Sequence, residues 1–183
     1  MERLLPADFT LERYGINVRF VNETDAEFIV ALRTDEKLGK YIHQTSPDIE
    51  VQRQWIRNYK IREANNEDFY FIFEKPNGTR CGVCRIYDIT EESFTHGSWL
   101  FAPQAPDGLA ILSEIITKEI AFELFPQKYL SFDVRRLNTQ VIKYHKKSGA
   151  KLQSQDELNF YYTLSKEDFE KNKMQFIDIL FIQ

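Results

Sequence analysis

Strand-like and helical patterns alternate along the chain from Ile16 to Leu164 with no Ser/Gly/Pro-rich linker between them, and this alternation constrains the fold most. Ile16–Val21 alternates as a half-buried strand does, and Thr24-Asp25-Ala26-Glu27 gives an S/T-x-x-E helix start. A second helix is predicted from about Glu50 to Glu63, its apolar face carrying Val51, Trp55, Ile56 and Tyr59. Phe69–Phe73, the turn Pro76-Asn77-Gly78 and Cys81–Tyr87 read as a hairpin, and Phe94–Phe101 as a further strand. Pro103, Pro106 and Gly108 break the meander before the longest helical pattern, Leu109–Phe125. Tyr129–Val134 is a strand, Asn138–Lys147 a helix ended by Gly149, and Phe160–Leu164 a last strand. The chain reads as one α/β domain of 183 residues.

The composition narrows function by exclusion. A formal charge of -4 gives no global basic field for nucleic acid or anionic lipid. Two cysteines and three histidines exclude a disulfide scaffold or a multi-ligand zinc module and suit a reducing cytosol. No apolar run reaches the length of a membrane span, and Met1–Pro6 lacks a secretory h-region, so the expected location is cytoplasmic. Cys81-Gly82-Val83-Cys84 has redox or zinc spacing, but on a strand its two thiols are expected on opposite faces, and it reads as two buried structural cysteines. No Gly-x-Ser-x-Gly elbow, G-x-G-x-x-G or phosphate-binding G-x-x-x-x-G-K-[ST] occurs. Fifteen Phe and nine Tyr predict an aromatic core or pocket wall.

What remains is Phe94–Gly149: strand, Pro/Gly loop, long helix, strand, and a helix opened by Asn138 and ended at Ser148-Gly149-Ala150. With Leu32–Leu38, Tyr41–Thr45 and Gly97-Ser98-Trp99-Leu100-Phe101-Ala102-Pro103, this order resembles the GCN5-related N-acetyltransferases (GNAT), in particular the RimJ/RimL-like branch that includes amino-sugar-nucleotide N-acetyltransferases. The resemblance covers about Ile16–Leu164, and Asn138–Ala150 is its most specific part.

The resemblance implies a GNAT-like α/β domain over residues 1–165, a mixed central sheet of about six to seven strands flanked by helices on both faces. Residues 166–183 are expected to form a C-terminal helix and apolar tail, and Phe176–Ile182 to pack on the domain or on a second subunit, a homodimer being open to it. The implied function is direct transfer of an acetyl group from acetyl-CoA, with no metal, to a primary amine of a small molecule, foremost an amino sugar linked to a nucleotide. A protein N-terminus is the alternative acceptor, and a GNAT domain that binds without catalysis the alternative class.

The same resemblance assigns residues. Leu100, Phe101 and Ala102 would offer backbone groups to the pantetheine arm, and Gly108, Leu109 and Ala110 would meet the pyrophosphate at the start of the long helix. This loop departs from the family's R/Q-x-x-G-x-G/A pattern, with Ala105 where Arg or Gln is usual and Asp107 near the phosphates. Asn138 and His145, seven apart, share a helix side that Tyr144 does not, and His145 stands where the family places the acid for the departing thiolate. Lys146, with Lys143, Lys147, Arg135 and Arg136, would face CoA phosphates. Ser98 is a further catalytic candidate, beside His43, Asp88 and His96 as polar groups near the acceptor, and Tyr41, His43, Tyr87 and Trp99 would wall the acceptor pocket. Thr95 and His96 cannot both face the cleft.

Overall fold

The computed structural model describes residues 2–42 and 44–181, the last by its backbone alone. In chain order the elements are β1 (Thr10–Arg13), β2 (Ile16–Phe20), a 3-10 turn, α1 (Ala26–Thr34), a second 3-10 turn at Gly39–Tyr41, and α2 (Ile49–Ala64). Then come β3 (Phe69–Glu74), β4 (Arg80–Tyr87), β5 (Ser93–Phe101), α3 (Leu109–Leu124), β6 (Tyr129–Arg135), α4 (Thr139–Lys147), β7 (Lys151–Gln155), β8 (Asn159–Leu164) and α5 (Lys166–Phe181). They build one eight-stranded mixed sheet in the order β1-β2-β3-β4-β5-β6-β8-β7, antiparallel except where β5 meets β6. None of these helices is long and apolar enough to cross a membrane.

Strand alternation feeds two cores. Phe69, Phe71 and Phe73 of β3 point to one face, where they join Phe94, the α3 residues Ile115, Ile116 and Phe122, Ile142 of α4, and Phe169 and Ile177 of α5. Tyr70 and Ile72 point to the other, against Ile29 and Leu32 of α1 and Ile56 and Tyr59 of α2. The abundant phenylalanines therefore fill the α3 side, with Phe20 and Phe71 stacked at 5.5 Å and Phe94 edge-on to Phe122 at 5.2 Å. The end of α5 packs on the domain itself: Ile177 is buried, and Phe176 and Leu180 lie against the main core.

Several local expectations are corrected. The first cap lies two residues earlier than Thr24/Glu27: Asn22 and Asp25 form the capping box of a 3-10 turn that leads into α1. Val51 is 53% exposed, so α2 turns a narrower face inward. Cys81 and Cys84 are both free and buried in one core cluster, because a register shift between Phe73/Gly82 and Glu74/Arg80 inserts Cys81 as an extra residue and resets the alternation. The two additional strands, β1 and β7, are the sheet's edges.

Candidate active site

The site begins where two central strands part. β5 and β6 pair in parallel only over Ser93–Thr95 and Tyr129–Ser131. Beyond that, β5 stays with β4 and β6 stays with β8, so the edges that would face each other diverge. The β4–β5 register supplies a cause: Val83 pairs with Leu100 but Arg85 with Gly97, so Ser98 and Trp99 oppose Cys84 alone. Such a bulge bends its strand and sharpens the twist. Ser98 takes the strain, with φ of 49° in the left-handed region.

The wedge so opened is lined by Leu38, Tyr41, His96, Gly97, Trp99, Leu100, Phe132–Arg135, Asn138, Val141 and His145. His145 reaches this cleft from α4 and Asn138 from the N-cap just before it, with a non-helical ψ of 66°, so the helix starts one residue later than expected; Tyr144 turns away toward Phe176 of α5. Of the expected backbone contacts on β5, Phe101 alone is oriented for one. The Ala102 N–H donates to the Cys81 carbonyl at 2.8 Å and Leu100 pairs with Val83, so alternation sends the Phe101 N–H and C=O to the edge away from β4.

At the wide end lies the N-terminus of α3. Gly108 occupies the N-cap with φ of 79°, and no side chain among the described residues caps the helix, which leaves its amide dipoles turned outward. The Leu109 side chain is core and its N–H already donates to the Pro106 carbonyl at 3.1 Å. Ala110 is tied through its carbonyl, which accepts from Trp99 Nε1 at 2.9 Å. A Cβ built on Gly108 would come 2.1 Å from Leu180 Cδ2, so the end of α5 abuts this loop. Lys146 lies farther along, where Lys143, Tyr144, Lys146, Lys147 and Phe176 line a cavity of about 380 Å³ between α4 and α5.

Across β5 from the wedge is a second cavity, of about 580 Å³, lined by Arg33, Thr45, Gln52, Trp55, Arg85, Tyr87, Asp88, Ser98 and Asp133 among others. Asp133 of β6 borders both spaces. Arg85 is fixed in the cavity: Nε donates to Asp68 Oδ1 at 2.7 Å, Nη2 bonds Oδ2 of the same buried carboxylate, and the guanidinium lies over Trp55 at 5.1 Å and Tyr87 at 4.6 Å. Arg33 donates from Nε to Thr45 Oγ1 at 2.5 Å and from Nη1 to Ser98 Oγ at 3.5 Å. The Tyr87 hydroxyl sits over Gly97, where an added Cβ would meet it at 2.9 Å.

Of the residues expected to wall the acceptor pocket, Tyr87 lies in this cavity with the catalytic candidate Ser98 and with Asp88. Tyr41 and Trp99 lie on the wedge side instead, Tyr41 donating to the Leu137 carbonyl at 3.3 Å. His43 falls outside the described residues. His96 turns to the α3 side, its Nε2 3.3 Å from Glu114 Oε1. Burial alone would lower its pKa, but Cys84 and Glu114 outweigh burial and hold it up at about 9. His145 goes the other way. Burial first, then Lys118, push it well below the usual histidine range, so its ring is neutral in the resting protein and holds no acidic proton ready for a thiolate. Sequence reasoning missed Arg33, Arg85, Trp55 and Asp133 as site residues. The available signal was alternation along the strands: Arg85 and Tyr87 share one face of β4, and Ser131, Asp133 and Arg135 alternate with the buried Leu130, Phe132 and Val134 on β6.

A family profile described as acetyltransferase (GNAT) domain matches residues 16–151. Among solved structures, apo FdhC, a nucleotide-linked sugar GNAT, is 36% identical with a TM-score of 0.83, over 93% of this chain and 98% of that one. The ribosomal-protein-S5-alanine acetyltransferase from Vibrio fischeri shares the fold at 16% identity and a TM-score of 0.74, over 88% of this chain and 99% of that one. Mycobacterium smegmatis RimJ, in complex with CoA-disulfide, does so at 14% and 0.72, over 90% and 88%. No curated protein sequence matches the chain. The profile spans most of the chain, including both diverging strands and the uncapped helix between them: the chain belongs to the GNAT acetyltransferase family.

Proposed function

We propose that this protein transfers an acetyl group from acetyl-CoA directly to a primary amine on a small molecule, an amino sugar linked to a nucleotide. The observation that carries the proposal is the meeting of two cavities at Asp133, across the bulge of β5. The wedge takes the pantetheine arm, with Phe101 offering its backbone and the α3 N-terminus facing the pyrophosphate. The acceptor enters the other cavity. There Arg33 and Arg85 suit a diphosphate, and Trp55 and Tyr87 suit a planar or sugar ring. Asp133 takes the proton that the ammonium must lose before attack, and His145 stands beside the thioester. Holding both reactants in adjoining clefts makes the transfer effectively unimolecular, with no covalent enzyme intermediate. The likeness to a nucleotide-linked sugar GNAT supports this acceptor over a protein N-terminus.

The test is acetyl-CoA-dependent product formation with nucleotide-linked amino sugars beside peptides with free N-termini. Turnover confined to the peptides would overturn the acceptor assignment. A second reading, binding without catalysis, is favoured by Leu180 lying against Gly108. Thermal stabilisation that rises with CoA concentration separates the two, since a ligand bound only by the folded state raises the midpoint. A flat response favours the second.

A further inference from the structure

Beneath the wedge, on the side away from the acceptor, α3 buries a carboxylate that the reaction above does not use. Glu114 is fully buried, and groups from three elements converge on it. Tyr144 of α4 donates its hydroxyl to Oε2. Lys118, one turn along α3 and itself 1% exposed, is ion-paired with Oε1, and His96 Nε2 of β5 lies 3.3 Å from the same atom. His145 Nδ1 lies 4.0 Å from it. Burying such charges costs several kcal/mol per ion before pairing, and an apolar set of the same volume would fill the space as well. The cluster therefore calls for a role beyond packing.

His145 supplies one. Its Nδ1 is fully buried with no hydrogen-bond partner among the described residues, and Glu114 Oε1 also lacks a bond of good geometry. The unpartnered Nδ1 faces Glu114 Oε1, the oxygen that Lys118 also pairs with, across 4.0 Å, while the histidine borders the wedge. Phe132 against the ring at 4.3 Å, and Trp99 and Tyr144 around it, hold the imidazole in this plane. A carboxylate beside one ring nitrogen selects the tautomer that carries its proton there, which leaves the other nitrogen as an acceptor.

We propose that Glu114 is a positioning residue for acetyl transfer, fixing His145 as the Nδ1–H tautomer with Nε2 presented to the cleft as a proton acceptor. This rests on the acetyl-transfer reading. When the amine nitrogen has bonded to the acetyl carbon, His145 Nε2 takes one N–H proton from the tetrahedral adduct. The C–S bond breaks with its electron pair going to sulfur, and the imidazolium returns that proton to the thiolate. Amide and free thiol result, with His145 neutral again. Glu114 stabilises the transient imidazolium, which reconciles a resting neutral ring with the delivery of a proton to sulfur.

The experiment is NMR of the full chain with ring-¹⁵N histidine, reading the His145 tautomer, together with steady-state kinetics. Wild type is expected to show the Nδ1–H form. Glu114→Gln should shift the ring toward Nε2–H and lower kcat at least tenfold, with KM for acetyl-CoA within about twofold. Because Glu114→Gln strands the charge of Lys118, the Glu114→Gln/Lys118→Met pair serves as the second variant and is expected to show the same split. A wild-type Nε2–H tautomer overturns the proposal whether or not the variants fold, as does unchanged kcat in either variant. Absence of turnover in wild type with every amine would instead count against the acetyl-transfer reading, while the tautomer still reports on Glu114.

Discussion

His96 should make the stability of the folded chain fall as pH rises through the mildly alkaline range. The ring is buried, and its pKa moves from 6.5 in the unfolded chain to about 9 beside Cys84 and Glu114. A pKa raised by folding gives stability that is fully present below the unfolded value and lost as pH climbs through the folded one. At about 1.4 kcal/mol per unit, the full contribution is about 3 kcal/mol, of which about 2 kcal/mol should disappear between pH 6.5 and pH 8.5. His145 does not confuse the window: its pKa is depressed by folding, so its linkage operates below 6.5, with stability lost as pH falls. Urea unfolding at half-unit pH steps measures the slope, and His96→Gln should flatten it. Parallel decline of the wild type and His96→Gln would refute the reasoning. So would an NMR titration of His96 with a midpoint near its unfolded value, a readout that needs no variant.

His145→Phe should lower turnover about a hundredfold while leaving the Kd for acetyl-CoA nearly unchanged, as stopped thiol release and equilibrium binding would show. Asp133→Asn should lower kcat in steady-state assays with little change in the Kd for acetyl-CoA, whereas an unchanged kcat would move the first proton acceptor elsewhere. Gly108→Ala forces a side chain into the left-handed region at φ of 79° and against Leu180, so it should cost more than the roughly 1–2 kcal/mol of the backbone alone. Adding Leu180→Ala should recover the steric part, measured by chemical denaturation.

Much of the framework was legible because the chain obeys one period at a time. α3 is read almost to the residue as Leu109–Phe125 against Leu109–Leu124, since a long apolar helix between Gly108 and Pro126 has few alternatives. β1 and β7 were not legible: Lys151–Gln155 is exposed along its whole length, so no burial imposes alternation on KLQSQ. Within the site, Asn138 and His145 could be paired from helical spacing, because Asn138 is the N-cap of α4 and its carbonyl accepts the first bond of that helix, from Ile142 N–H. The cavity at Arg85 could not be read this way. Arg85, Trp55, Asp133 and Arg33 come from β4, α2, β6 and α1, and only the sheet order and the bulge at Ser98 bring them together. The lowered pKa of His145 comes first from its burial in the folded chain and then from Lys118, 27 positions away in sequence but adjacent in the buried cluster.

Arg85 meets any ligand already frozen. An arginine on an open surface gives up rotamer freedom worth about 0.5–1.5 kcal/mol when it closes on an anion. Here Asp68 below, with Trp55 and Tyr87 around the guanidinium, has taken that loss at folding. The cavity thus resembles a die more than a glove, and what it loses is tolerance: an anion that falls an ångström out of line finds a cation that does not follow it.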